Sequence, residues 1–178
     1  MITLVDGPRN VGKSFLLKEL AKENKLADTM YKFDVVGAYN VFNYTKEQFH
    51  YVSIGNTMQF LQLVRDGFIK NIVKDRSFLS DLVYADMHDR VDASHLSDYI
   101  LYLKNQYLDK IDIRIIIVDG INPNHREKDA MDTWDYNTQS NLFNKYACLM
   151  MDSFEVIKFE NKFNAESVKD FIGLFDDK

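Results

Sequence analysis

Cysteine, proline, glycine and clustered positive charge are all scarce in this chain. Its 178 residues hold one cysteine, two prolines and seven glycines. A lone Cys148 rules out an internal disulfide framework. It falls in a helical apolar stripe, where it reads as a small buried hydrophobe in a reducing, cytoplasmic setting. The few prolines and glycines form no linker, so residues 1–178 are expected to fold as one domain around one core. No apolar run approaches the roughly 20 residues that span a bilayer. The first core strand starts at Ile2, which leaves no room for a signal peptide, and no membrane is expected. Lysine and arginine number 22 against 27 acidic residues, with a net charge of −5. The broad basic surface of a duplex-binding protein is therefore absent, and an anionic ligand must be small or gripped locally. The histidines at 50, 88, 95 and 125 lack metal-ligand spacing, so no zinc site is expected.

The most specific feature present is Gly7-Pro8-Arg9-Asn10-Val11-Gly12-Lys13-Ser14. It matches the phosphate-binding pattern G-x-x-x-x-G-K-S/T and directly follows the apolar run Ile2-Thr3-Leu4-Val5. Glycines at 7 and 12 let backbone N–H groups converge, Lys13 reaches the β- and γ-phosphates, and the Ser14 hydroxyl can ligate Mg²⁺. Phe15, Leu16, Leu17, Leu20 and Ala21 continue as the apolar stripe of a helix. ATP with Mg²⁺ is the expected ligand, held by residues 7 to 15.

Strand-like and helix-like segments alternate throughout. Strands are expected at Ile2–Asp6, Met30–Val36, Phe68–Lys74, Ile111–Val118 and Phe154–Phe159. Helices are expected at Lys13–Glu23, Thr57–Asp66, Phe78–His88, Ser94–Leu108, a segment carrying Leu142, Phe143, Tyr146, Ala147 and Met150, and Ala165–Phe175. The stretch from Gly37 to Gly55 carries no clear period. Strands separated by helices imply an α/β fold: a five-stranded parallel sheet with helices on both faces.

A second motif, Lys74-Asp75-Arg76-Ser77, sits at the C-terminal end of the third strand, the end where open α/β sheets bind ligands. Asp75 can hold Mg²⁺ through water and Arg76 can grip a phosphate with two prongs. Taken alone, the same residues also describe a capping aspartate and a surface arginine.

Asp75-Arg76-Ser77-Phe78-Leu79-Ser80-Asp81-Leu82-Val83-Tyr84 resembles the D-R-Y/H-x-x-S-x-x-A/V-Y/F signature of thymidylate kinases, and its first turn resembles the D/E-R-S turn of deoxynucleoside kinases. With the N-terminal loop, the resemblance to the thymidylate kinase-like group of P-loop kinases covers the whole chain. It implies ATP-dependent transfer to a deoxynucleoside monophosphate, small-molecule nucleotide substrates and a homodimer. It also implies a short lid at about 121–135, whose Arg126, aided by Lys128, closes on the transferring phosphoryl group. Lys13 and Arg126 then neutralise developing charge, Ser14 and Asp75 hold the metal, and Arg76 orients both phosphates.

On the acceptor side the chain departs from those kinases. Arg9 stands where an acidic loop residue is usual, and Asn56-Thr57-Met58 stand where an arginine is usual. Arg9 either takes over the phosphate-holding role or is a surface residue. Asp34 either accepts a proton from an acceptor hydroxyl or caps a loop. Phe33 and Tyr84, with Tyr39, Phe42 and Tyr44, either contact the acceptor or simply pack. A nucleoside, a modified deoxynucleotide or a nucleotide within DNA remain alternative acceptors, the last being the one way nucleic acid enters. A nucleotide-dependent switch or ATPase and a non-catalytic binding module are the alternatives of another class.

Overall fold

The computed structural model describes residues 1–23, 30–31, 45–70, 72–89, 92–107, 111–123 and 136–176. Its strands are β1 (Ile2–Asp6), β2 (Met30–Tyr31), β3 (Ile72–Asp75), β4 (Ile113–Asp119) and β5 (Glu155–Glu160). Its helices are α1 (Lys13–Lys22), α2 (Lys46–Arg65), α3 (Phe78–His88), α4 (Ala93–Tyr107), α5 (Tyr136–Met150) and α6 (Ala165–Gly173). All strand pairs are parallel, in the order β2-β3-β1-β4-β5. Four strands are of substantial length, and the fifth position is a two-residue edge strand, β2. The rest of the expected Met30–Val36 strand lies outside the described residues.

Period-2 alternation sends each strand's side chains to opposite layers. Val5, Val73, Ile116 and Val118 meet Leu16, Leu17, Leu20 and Phe171 of α1 and α6. Ile2, Leu4, Ile72, Ile115 and Ile117 meet the layer built by α2, α3, α4 and α5, including Leu61, Phe78, Leu82, Ile100 and Phe143. Burial on both faces explains why β1 and β4 read as nearly continuous apolar runs.

Several boundaries differ from the sequence expectation, each for a local reason. Helix α2 begins at Lys46 rather than Thr57, because Thr45 and Gln48 form a reciprocal capping box that starts it earlier. The expected strand at Phe68 begins only at Ile72. Phe68 and Ile69 instead donate their N–H groups to the Leu63 carbonyl and close the end of α2, leaving Phe68 77% exposed. Cys148 is exposed rather than buried. The inward row of α5 is Phe143, Tyr146, Ala147 and Met150, which turns position 148 outward. Phe15 and Ala21 likewise lie off the buried stripe of α1, which is Leu16, Leu17 and Leu20. Helix α6 ends at Gly173, short of Phe175.

Candidate functional site

The site lies at the C-terminal ends of β1, β3 and β4. Loop 7–12 leaves β1 and enters α1 through Gly12, whose left-handed φ of 86° serves as the N-cap. No side chain caps this helix start and no acidic residue lies in its first turn, so its N–H groups and positive dipole end face the loop interior. Glycine is required at position 7, where φ is 133° and a Cβ would lie 2.0 Å from the Val118 carbonyl oxygen. At Gly12 a Cβ would lie 2.5 Å from Asn161 Nδ2. Asn161 also donates to the Val11 carbonyl at 2.9 Å, so the loop after β5 braces the phosphate loop from behind.

Lys13 is almost wholly buried. Its ammonium donates to the Gly7 carbonyl at 2.8 Å and to the Pro8 carbonyl. Burial, with Arg76 nearby, pushes its pKa down to about 8, against the opposing pull of Asp6 and Asp75. Ser14 Oγ donates to Asp75 Oδ2 at 3.2 Å, bringing together the two residues expected to hold the metal. These are hard oxygen donors, and the chemistry of the pair fits Mg²⁺, which takes one or two protein oxygens and completes its shell with phosphates and water.

Arg76 follows directly. Its N–H extends the β1–β3 ladder to the Val5 carbonyl at 2.8 Å, and its φ of 72° turns the chain sharply. Its Nη1 donates to Ser80 Oγ at 3.2 Å and Tyr84 Oη at 3.3 Å. The Tyr84 ring lies 5.6 Å from the Arg76 guanidinium and 5.7 Å from that of Arg9. Two guanidinium groups thus meet at one ring, and cation–π attraction holds them despite their like charge. The Arg9 N–H donates to Gln139 Oε1 at 3.1 Å, tying the loop to the first turn of α5. Asp34, Phe33, Tyr39, Phe42, Tyr44, Arg126 and Lys128 lie outside the described residues, as does 124–135 of the expected lid.

Two acids that sequence reasoning passed over organise this site. Asp6, fully buried at the end of β1, accepts from the N–H and Oγ–H of both Ser77 and Ser80 and from the Gly7 N–H, at 2.6–3.0 Å. It locks the phosphate loop to the start of α3, where Ser77 caps the helix. Asp119, at the end of β4, accepts from the Gly120 N–H at 2.9 Å, Ser140 Oγ at 2.7 Å and Tyr136 Oη, and so pins the start of α5. The signal was present: Val5-Asp6-Gly7 and Val118-Asp119-Gly120 are the same tripeptide, and both glycines adopt positive φ. Substituting Asp6→Asn leaves an amide NH₂ facing donors. It should destabilise the chain by about 2 kcal/mol, read as a lower midpoint in urea at an unchanged slope.

Among the described residues no helix is long and apolar enough to cross a membrane. No family model and no curated protein matches the chain. Similar solved structures include deoxyadenosine kinase from M. mycoides with bound dATP, at 17% identity and TM-score 0.60, covering 98% of this chain and 96% of that one. The same enzyme with bound dCTP has 19% identity and TM-score 0.54, covering 98% and 97%. The NadR protein in complex with NR has 11% identity and TM-score 0.65, covering 97% of this chain and 49% of that one. At these identities the likeness is one of fold: the chain shares the α/β architecture of these deoxyadenosine kinases, and within it loop 7–12 and the D-R-S turn follow the adjacent inner strands β1 and β3.

Proposed function

We propose that the chain is an ATP-dependent kinase whose acceptor is a deoxynucleoside monophosphate. The observation that carries the reading is the convergence of Lys13, Ser14, Asp75 and Arg76 at the strand ends, with Arg9 adding a second guanidinium beside Tyr84. The phosphate loop and Lys13 hold the donor, and the Arg9–Tyr84–Arg76 cluster takes the acceptor's phosphate. A phosphate oxygen of the acceptor attacks the γ-phosphorus, the bond to the β,γ-bridging oxygen breaks, and ADP leaves. Such an acceptor is already ionised, so no general base is needed, and catalysis reduces to positioning and charge neutralisation. Ser14 and Asp75 would hold magnesium, which when bound would neutralise charge on the donor phosphates. A bare deoxynucleoside is the second reading, favoured by the fold likeness to deoxyadenosine kinases. In that case Asp34 takes the hydroxyl proton.

The test is an acceptor screen with γ-labelled ATP over deoxynucleosides, their 5′-monophosphates and a 5′-phosphorylated oligonucleotide, with a control lacking acceptor. Label in a deoxynucleoside diphosphate is the expected result. Phosphate release at the same rate without any acceptor would make the chain an ATPase instead. The lid role carried by the family resemblance is tested by Arg126→Ala. Turnover should fall far more than ATP affinity, because a lid arginine engages the phosphoryl group fully only in the closed, reacting complex. A change confined to the ATP dissociation constant would reduce Arg126 to ground-state binding.

A further inference from the structure

Lys74 opens the K-D-R-S segment, yet the reaction above gives it no task. It is 3% exposed, and its strand position lies between Leu4 of β1 and Tyr31 of β2. A buried ammonium normally pairs with a carboxylate. This one instead donates to the backbone carbonyl of Arg76 at 3.1 Å. Arg76 is the residue at φ 72°, a left-handed conformation that a long side chain adopts only where its surroundings enforce it. Its N–H is held by Val5 and its guanidinium by Ser80 and Tyr84. The Lys74 bond closes the remaining end of the turn.

The charge around Lys74 points the same way. Asp81, Asp6 and Asp75 all act on it, and burial still pulls its pKa below the ordinary lysine range. Asp81 is itself buried. One of its oxygens accepts from Ser53 Oγ at 2.9 Å and the other lies 3.6 Å from His50 Nδ1, both on α2. A costly cation thus sits two residues before Arg76, acted on by Asp6 and Asp75, the same two carboxylates that attract the Arg76 guanidinium. We propose that Lys74 is a positioning residue for the acceptor site: its ammonium holds the Arg76 carbonyl, locks the left-handed turn, and offsets Asp6 and Asp75 so that the guanidinium stays at the Tyr84 ring. The inference rests on the phosphoryl-transfer reading for its effect on rate, but its structural half stands apart from it.

The experiment uses the full chain with Lys74→Met, Lys74→Gln, Arg76→Ala and the two Lys74 changes combined with Arg76→Ala. Lys74→Met should lower kcat/KM for the monophosphate by about a hundredfold, the scale on which misplacing a positioning group slows a reaction. Lys74→Gln, which still donates to the carbonyl, should recover part of that loss. In the Arg76→Ala background neither change should cost anything further, because the group through which Lys74 acts is gone. In parallel, amide hydrogen exchange at Arg76 and Ser77 should quicken in Lys74→Met while Ile115 in β4 keeps its protection. Parental activity, a loss that adds fully to that of Arg76→Ala, or exchange that quickens evenly across the sheet would each overturn the proposal. Should Lys74→Met not fold, Lys74→Gln carries the same comparison. A parent chain that transfers no phosphoryl group would end the proposed function, and the exchange measurement alone then decides the role of Lys74.

Discussion

Replacing Lys13 by methionine should reduce phosphoryl transfer by more than about a hundredfold while the chain stays folded, the scale expected when a charge aimed at the transition state is removed. The fold should tolerate the change because opposing effects offset. The Gly7 and Pro8 carbonyls lose a donor, a cost of about 1–2 kcal/mol, whereas a desolvated ammonium disappears from a buried position and the methionine stem keeps the packing. The lowered pKa sharpens the test. With a value of about 8 in the ligand-free chain, Lys13 is an ammonium below pH 8 and loses its proton above it. Bound phosphate favours the ammonium, so ATP binding above pH 8 must take up a proton. Affinity should then be flat below pH 8 and fall by up to about tenfold per pH unit above it. Calorimetry in buffers of different ionisation enthalpy reads the proton directly, and Lys13→Met should abolish both the uptake and the slope. Near-native turnover in the variant would remove the basis of the kinase reading.

What could be read from the sequence was whatever a local period or a short motif encodes. Helix α3 matches the expected Phe78–His88, because Ser77 caps it and Asp89 ends it in the left-handed region. Sheet and layers followed from short apolar runs set between helical stripes, since a strand such as β4, buried on both faces, shows no period and is marked instead by its strand-like length and its isoleucines and valine. Helix α2 was half missed. Its N-terminal half carries Gly55 and a mix of polar and aromatic residues, and its start is set by the Thr45–Gln48 box rather than by periodicity. The proximity of Ser14 to Asp75 was legible from the sheet-end rule alone. The Asp6 and Asp119 anchors left only the repeated Val-Asp-Gly as a trace, because beyond the next residue's N–H their partners are distant in sequence. Ser77 and Ser80 lie far along the chain from Asp6, and only parallel pairing of β1 with β3 brings them together.

That same pairing makes the two halves of the site one mechanical unit. Asp6 joins the phosphate loop to α3, Asp119 joins the end of β4 to α5, and Gln139 of α5 returns to the Arg9 N–H. Loop 7–12 and the Tyr84-bearing helix therefore share one frame, and because the bond to Gln139 is made by the backbone N–H, a change of the Arg9 side chain alters charge without removing that bond.

Arg9→Asp uses that property. The backbone N–H at position 9 and its bond to Gln139 are retained, while the guanidinium beside Tyr84 is lost and a carboxylate is introduced closer to the loop backbone. For a monophosphate acceptor the variant loses a charged hydrogen-bonding partner and adds like-charge repulsion. These act together, and kcat/KM for a deoxynucleoside monophosphate should fall by roughly 2–4 kcal/mol, equivalent to about thirtyfold to a thousandfold. The matching deoxynucleoside carries no phosphate to repel, so its already low rate should change little, and discrimination between the two should collapse. ATP binding should weaken less, since the N–H groups of the loop and Lys13 remain. Parent and variant are to be compared on a monophosphate, the matching nucleoside and a 5′-phosphorylated oligonucleotide, with the ATP dissociation constant measured alongside. Equal losses on all three acceptors would place Arg9 on the donor side of the site and leave the bare nucleoside as the better acceptor reading.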